Sequence, residues 1–103
     1  MIVALIDDGL SANIYNFFSK AKIKSYHIDK NNNFLELKRI LSFKSTHADI
    51  CFRIIDYYIN QNYELIDIDI SNDYSENCNL NNLILALKWC TSKKIDLINL
   101  SVG

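Results

Sequence analysis

Ile2-Val3-Ala4-Leu5-Ile6-Asp7-Asp8-Gly9 is the stretch from which the fold can be read. An unbroken apolar run this short, closed by an Asp-Gly turn signal, predicts a strand buried on both faces, as in a parallel sheet. Downstream, Ser11 can cap a short helical stretch through Phe18, and residues 22–28 alternate enough to form a second strand. Residues 31–46, opening on Asn31-Asn32-Asn33, read as a loop around a short helix. A helix is predicted from His47 to about Ile59, with Ile50, Ile54, Ile55 and Tyr58 on its core face. Residues 65–70 alternate apolar with acidic and predict a third strand. Asn79 or Asn81 begins a second helix through Cys90, and residues 95–102 form a last β-rich run. Strands alternating with helices predict a three-layer α/β fold, a parallel sheet with helices on both faces and right-handed crossovers. Because the last run reaches Gly103 with nothing to cover it, the domain reads as truncated, with an exposed sheet edge.

A chain of 103 residues, 50% hydrophobic and 22% charged, has the size and composition of one globular domain, residues 1–103. A net charge of -1 with lysines scattered along the chain gives no basic patch for nucleic acid or an anionic membrane. No apolar run approaches the roughly 18 residues that cross a bilayer, and no basic leader precedes Ile2, so a cytoplasmic protein is expected. Cys51, Cys78 and Cys90 are odd in number and widely spaced, which suits neither a disulfide framework nor a Cys-x-x-Cys zinc site, and they read as buried thiols. No loop has the oxygen-rich spacing of a Ca²⁺ site, so neither metal nor cofactor is expected.

Ligands of open α/β sheets collect beyond the carboxyl ends of the strands, which is where Asp7 falls. Taken alone, Asp7-Asp8-Gly9 is an acidic turn and His47 a residue at a helix start. Together with Asn99-Leu100-Ser101-Val102-Gly103 they read differently. Val3-Ala4-Leu5-Ile6-Asp7-Asp8-Gly9 resembles the first-strand Asp-Ser/Thr-Gly motif of the subtilisin-like serine peptidases, the subtilases. His47-Ala48-Asp49-Ile50-Cys51-Phe52-Arg53-Ile54-Ile55 is similar to that family's His-Gly-Thr motif, and residues 83–103 resemble the helix and strand that end in its Asn-x-Ser-Leu-Gly. The resemblance implies a subtilisin-like fold and cleavage of a peptide or protein substrate by an Asp-His-Ser triad. It implies that Asp7 orients His47, that His47 is the general base, and that Ser101, Val102 and Gly103 line the substrate-binding strand. A serine hydroxyl needs a histidine to take its proton, and the histidine needs a carboxylate to fix its tautomer.

The 103 residues contain no Gly-Thr-Ser nucleophile motif, so the serine is expected on a C-terminal half and the chain alone is expected to be inactive. Ala48-Asp49 replaces the family's Gly-Thr, and Asp49 is expected to raise the pKa of His47 or to compete with Asp7 for it. Asp8 replaces Ser or Thr and sets a second negative charge beside Asp7. Two rival readings stand beside the peptidase. One is a receiver-type phosphoacceptor domain, with Asp7-Asp8 holding Mg²⁺ and Asp69 phosphorylated. The other is a non-catalytic binding fragment.

Overall fold

A computed structural model describes residues 1–72 and 75–100, with the backbone alone at positions 72 and 75–78. The opening apolar run is strand β1 (Ile2–Asp7), and Val3, Ala4, Leu5 and Ile6 are all fully buried. Strands β2 (Ala21–Ile28), β3 (Phe34–Leu37), β4 (Tyr63–Asp69) and β7 (Leu97–Leu100) join it in a five-stranded sheet of order β3-β2-β4-β1-β7. All neighbours are parallel except β3, which runs antiparallel to β2. Strands β5 (Ser71–Asn72) and β6 (Ser75–Cys78) form a separate antiparallel pair.

The sheet is covered on both sides. Val3, Leu5 and Leu65 face Leu10, Ile14, Ala48 and Phe52, so the 3₁₀ turn Ala12–Asn16 and helix α1 (His47–Tyr58) lie on one face. Ala4, Ile6 and Ile68 face Ala86 and Cys90 of helix α2 (Leu80–Thr91) on the other. The three-layer α/β arrangement read from the sequence is therefore present.

The caps follow from local chemistry. The Ser11 hydroxyl accepts the Asn13 N–H at 3.2 Å and starts the 3₁₀ turn. Thr46 and Asp49 form a reciprocal capping box at the start of α1, and the Asn79 amide oxygen accepts the Asn81 and Asn82 N–H groups at the start of α2.

Three expectations need correction. Residues 31–46 contain no helix; the chain turns through Asp29, whose Oδ1 accepts the Asn31 and Asn33 N–H groups, with Asn32 at φ 66°, and returns as β3. Asn tolerates that left-handed conformation, and Phe34 then stacks on Trp89 at 5.2 Å to hold the edge strand.

The core face of α1 is also different. Two apolar stripes run along this helix at helical spacing. The one turned inward is Ala48, Phe52 and Ile55, while Ile50, Ile54 and Tyr58 are exposed. His47 has to meet Asp7 at the end of β1, which fixes the rotation of the helix.

Crossover hand is the third correction. The β1-to-β2 connection and the β2-α1-β4 connection lie on the same face but cross the sheet in opposite directions. The β4-α2-β7 connection reverses both face and direction relative to the first. The β2-α1-β4 crossover therefore has the opposite hand to the other two, in contrast to the one right-handed sense that holds in about 98% of such units.

Strand β7 pairs with β1 on one side, and among the described residues no strand lies on its other side. Leu97, Ile98 and Leu100 are exposed there. No helix among the described residues is long and apolar enough to cross a membrane.

The two stripes of α1 give a direct test. Phe52→Ala should lower the unfolding free energy by about 3–5 kcal/mol, while Ile54→Ala should change it by roughly 0.5 kcal/mol or less, in urea denaturation followed by circular dichroism. A larger loss at Ile54 would mean that α1 is rotated.

Candidate active site

The site forms where β1 ends. Asp7 is the last residue of that strand, and its carbonyl accepts the Ile70 N–H at 2.9 Å, so the backbone at this point is locked to the end of β4. Its side chain is buried. The Asp8 N–H donates to Asp7 Oδ1 at 2.7 Å, which leaves Oδ2 aimed at the Nδ1 of His47, 2.8 Å away. The imidazole itself is 56% exposed, so a buried acid meets an accessible base.

Asp8 does something that its charge alone did not suggest. Its Oδ1 accepts the Ala48 N–H at 2.9 Å and its Oδ2 the His47 N–H at 3.2 Å, so both oxygens cap the first turn of α1. A carboxylate is favourable at that end of a helix. The β1 turn thus grips His47 twice, by its ring through Asp7 and by its backbone through Asp8. Gly9 completes the turn with φ +85°, and a Cβ there would come within 3.0 Å of the Asp69 side chain. Only glycine satisfies both demands at this position.

Asp49 neither raises the pKa of His47 nor competes with Asp7. Two residues on, a helix has turned by about 200°, so Asp49 points away from the ring. Its carboxylate accepts the Ser11 N–H at 2.8 Å and the Ser11 hydroxyl at 2.6 Å, and closes the capping box with Thr46. Ala48 is fully buried against the sheet.

Burial pushes the Asp7 carboxyl above the ordinary carboxylate range, against the opposing hydrogen bonds from His47 and the Asp8 N–H. The hydrogen bond to Asp7, and then the charge of Asp7, raise His47 above the usual imidazole value. On the neighbouring strand, complete burial pushes Asp67 up to about 7. Both of its oxygens accept the Leu10 N–H at 3.2 Å, so this acid holds down the far end of the β1 turn.

Asp69 lies level with Asp7 across the β1–β4 pair. Its Oδ1 accepts the Ser71 N–H at 2.8 Å and the Ser71 hydroxyl at 2.5 Å, and its Oδ2 lies 3.6 Å from His27 Nδ1. Asp7, Asp8 and Asp69 are thus each hydrogen-bonded by protein groups. The parallel strands, numbered in chain order, run 2-3-1-4 rather than the 2-1-3-4-5 order of the flavodoxin-like sheet to which receivers conform. Ser101, Val102 and Gly103 lie outside the described residues.

Cys51 was missed as a site residue. Its Sγ lies 3.7 Å from His47 Nδ1 and 4.0 Å from Nε2, and the residue is half-buried beside the ring. The signal was present as the four-residue spacing from His47, which puts both on one face of a helix. Of the other thiols, Cys90 is buried as expected, and the Cys78 side chain lies outside the described residues.

Comparison with protein-family models, with curated proteins and with solved structures gave no match.

The pairing with Asp7 has a titration consequence. His47 should titrate above the ordinary imidazole value of about 6.5 in an NMR pH series, and Asp7→Asn should bring it down toward that value. Because the folded value of His47 is the higher one, the stabilisation from its protonation beside ionised Asp7 is present below the unfolded imidazole value and is lost as pH rises through the folded one. A titration midpoint unmoved by Asp7→Asn would show that the contact is absent in solution.

Proposed function

We propose that the chain is the N-terminal part of a subtilisin-like serine peptidase domain, in which Asp7 and His47 are two members of an Asp-His-Ser triad. The observation that carries this reading is the 2.8 Å contact between a buried carboxylate and Nδ1 of an accessible histidine, at the carboxyl end of a central parallel strand. Nδ1–H donates to Asp7, which leaves Nε2 with its lone pair. That nitrogen takes the proton of a serine hydroxyl as the oxygen attacks a peptide carbonyl, and returns it to the leaving amine. The negative charge of Asp7 stabilises the imidazolium between those steps.

Asp8 and the capping box give the dyad the rigidity that such chemistry requires, since the base is held through its own backbone as well as its ring. By resemblance, Ser101, Val102 and Gly103 line the subsites that take the substrate backbone, and the outer edge of β7, unpaired among the described residues, is compatible with strand addition. The partners are then a peptide or protein substrate and a C-terminal half carrying the serine. The cell interior remains the proposed location.

The first test is the transcript read beyond codon 103. The peptidase reading expects an Asn-containing segment and then Gly-Thr-Ser before a helix, with the 103-residue chain unlabelled by a serine-directed phosphonate. With that downstream segment joined, Asp7→Asn should lower kcat on the order of 10⁴-fold. A stop followed by unrelated sequence would leave a non-catalytic fragment.

A further inference from the structure

His47 and Cys51 stand four residues apart on α1, the spacing that brings two side chains to one face of a helix. Asp7 reaches the same point from β1. The donor atoms of the three residues lie within 4.8 Å of one another, and among the described residues no other three donors of this kind converge so closely.

An imidazole nitrogen, a thiolate and a carboxylate oxygen form the mixed donor set that zinc takes and that hard cations such as Mg²⁺ and Ca²⁺ do not. The spacings are also close to those of a coordination sphere. With metal bonds of about 2.0–2.1 Å to nitrogen and oxygen and about 2.3 Å to sulfur, a tetrahedron separates nitrogen from sulfur by about 3.6 Å and nitrogen from oxygen by about 3.3 Å. The thiol lies 3.7 Å from His47 Nδ1, and Asp7 Oδ2 lies 2.8 Å from it. Of these two distances the second has to open, by about half an ångström, and the exposed imidazole is the side chain with room to move, while the Asp7 and Cys51 donors lie within 4.8 Å of each other.

The surroundings hold the ligands as a metal site needs. The Asp8 N–H fixes Asp7 Oδ1 and leaves Oδ2 to the ion, which is the outer-sphere support that orients a ligating carboxylate. Asp8 also fixes the backbone of His47 and Ala48, so the first turn of α1, which carries one ligand and leads to the next, is anchored. Three protein ligands, one of them the solvent-exposed imidazole, leave a fourth position for water.

We propose that Asp7, His47 Nδ1 and Cys51 form a binding site for a zinc-class divalent cation. Binding releases the Cys51 thiol proton to solvent and moves the imidazole proton from Nδ1 to Nε2. An occupied site therefore leaves Nε2 protonated and unable to act as a base, so the ion switches the dyad off. The site itself needs only these three side chains, whereas the inhibitory consequence rests on the peptidase reading.

The test is a Co²⁺ titration of the purified 103-residue chain under a thiol-free reductant. The expected result is one equivalent bound, with near-ultraviolet thiolate-to-cobalt charge transfer and the strong visible bands of tetrahedral Co²⁺, displaced one-for-one by Zn²⁺. Cys51→Ala should abolish the charge-transfer band and weaken Zn²⁺ binding at least about 100-fold, more than the loss of an outer-sphere partner, while Cys90→Ala leaves both unchanged. Absence of the band, or its persistence in Cys51→Ala, overturns the site. Should Cys51→Ala not fold, the wild-type chain decides: Zn²⁺ must perturb the His47 Nδ1 resonance in ¹⁵N NMR, and an unperturbed Nδ1 overturns the site as well. These readouts need no peptidase activity, so failure of the peptidase reading leaves them intact.

Discussion

Everything at the site depends on one buried carboxylate. Asp7 ends a strand that is buried on both faces, and an ionised acid in such a place is costly unless its oxygens are engaged. Each oxygen has a partner, the Asp8 N–H on one and His47 on the other. The second partner is accessible to solvent, which turns a structural requirement into a chemical resource. Satisfying Asp7 sets the position of α1, and with it the stripe that α1 buries.

The other buried acids secure the loops that surround this pair. Asp67 holds Leu10, Asp49 holds Ser11, and Asp56 accepts the Ser19 hydroxyl at 2.9 Å, the Tyr63 hydroxyl at 2.9 Å and the Lys20 N–H at 3.3 Å. Each ties a loop on one face of the sheet to an element beneath it. Among the described residues no fully buried side-chain nitrogen or oxygen lacks a partner. Burying several carboxylates is tolerable on those terms, and the bonds fix the loops more closely than apolar contacts would, since a hydrogen bond is directional.

How much of this was legible varied with the physical signal. The unbroken run of β1, the polar cap at Asn79 and the alternation of β4 are local, and the elements appear where those signals put them. The rotation of α1 is not local. Ile50 and Ile54 repeat as regularly as Ala48 and Phe52, and only the demand of Asp7 for His47 separates the two stripes. Asp49 was misread because proximity in sequence to His47 was taken for proximity in space. The hand of the β2-α1-β4 crossover depends on which strand inserts between which, and no short stretch encodes that. Asp7 and His47 were found as a pair through a family resemblance, forty residues apart, and the structure brings them into contact. Cys51 was counted only as a thiol, although its spacing from His47 placed it beside the ring.

The central claim is that Asp7 selects the tautomer of His47 and so leaves Nε2 as the basic nitrogen. A ¹⁵N-histidine NMR spectrum of the metal-free chain above the His47 titration reads this directly. The account predicts a protonated Nδ1 and an unprotonated Nε2. A proton on Nε2 would contradict it.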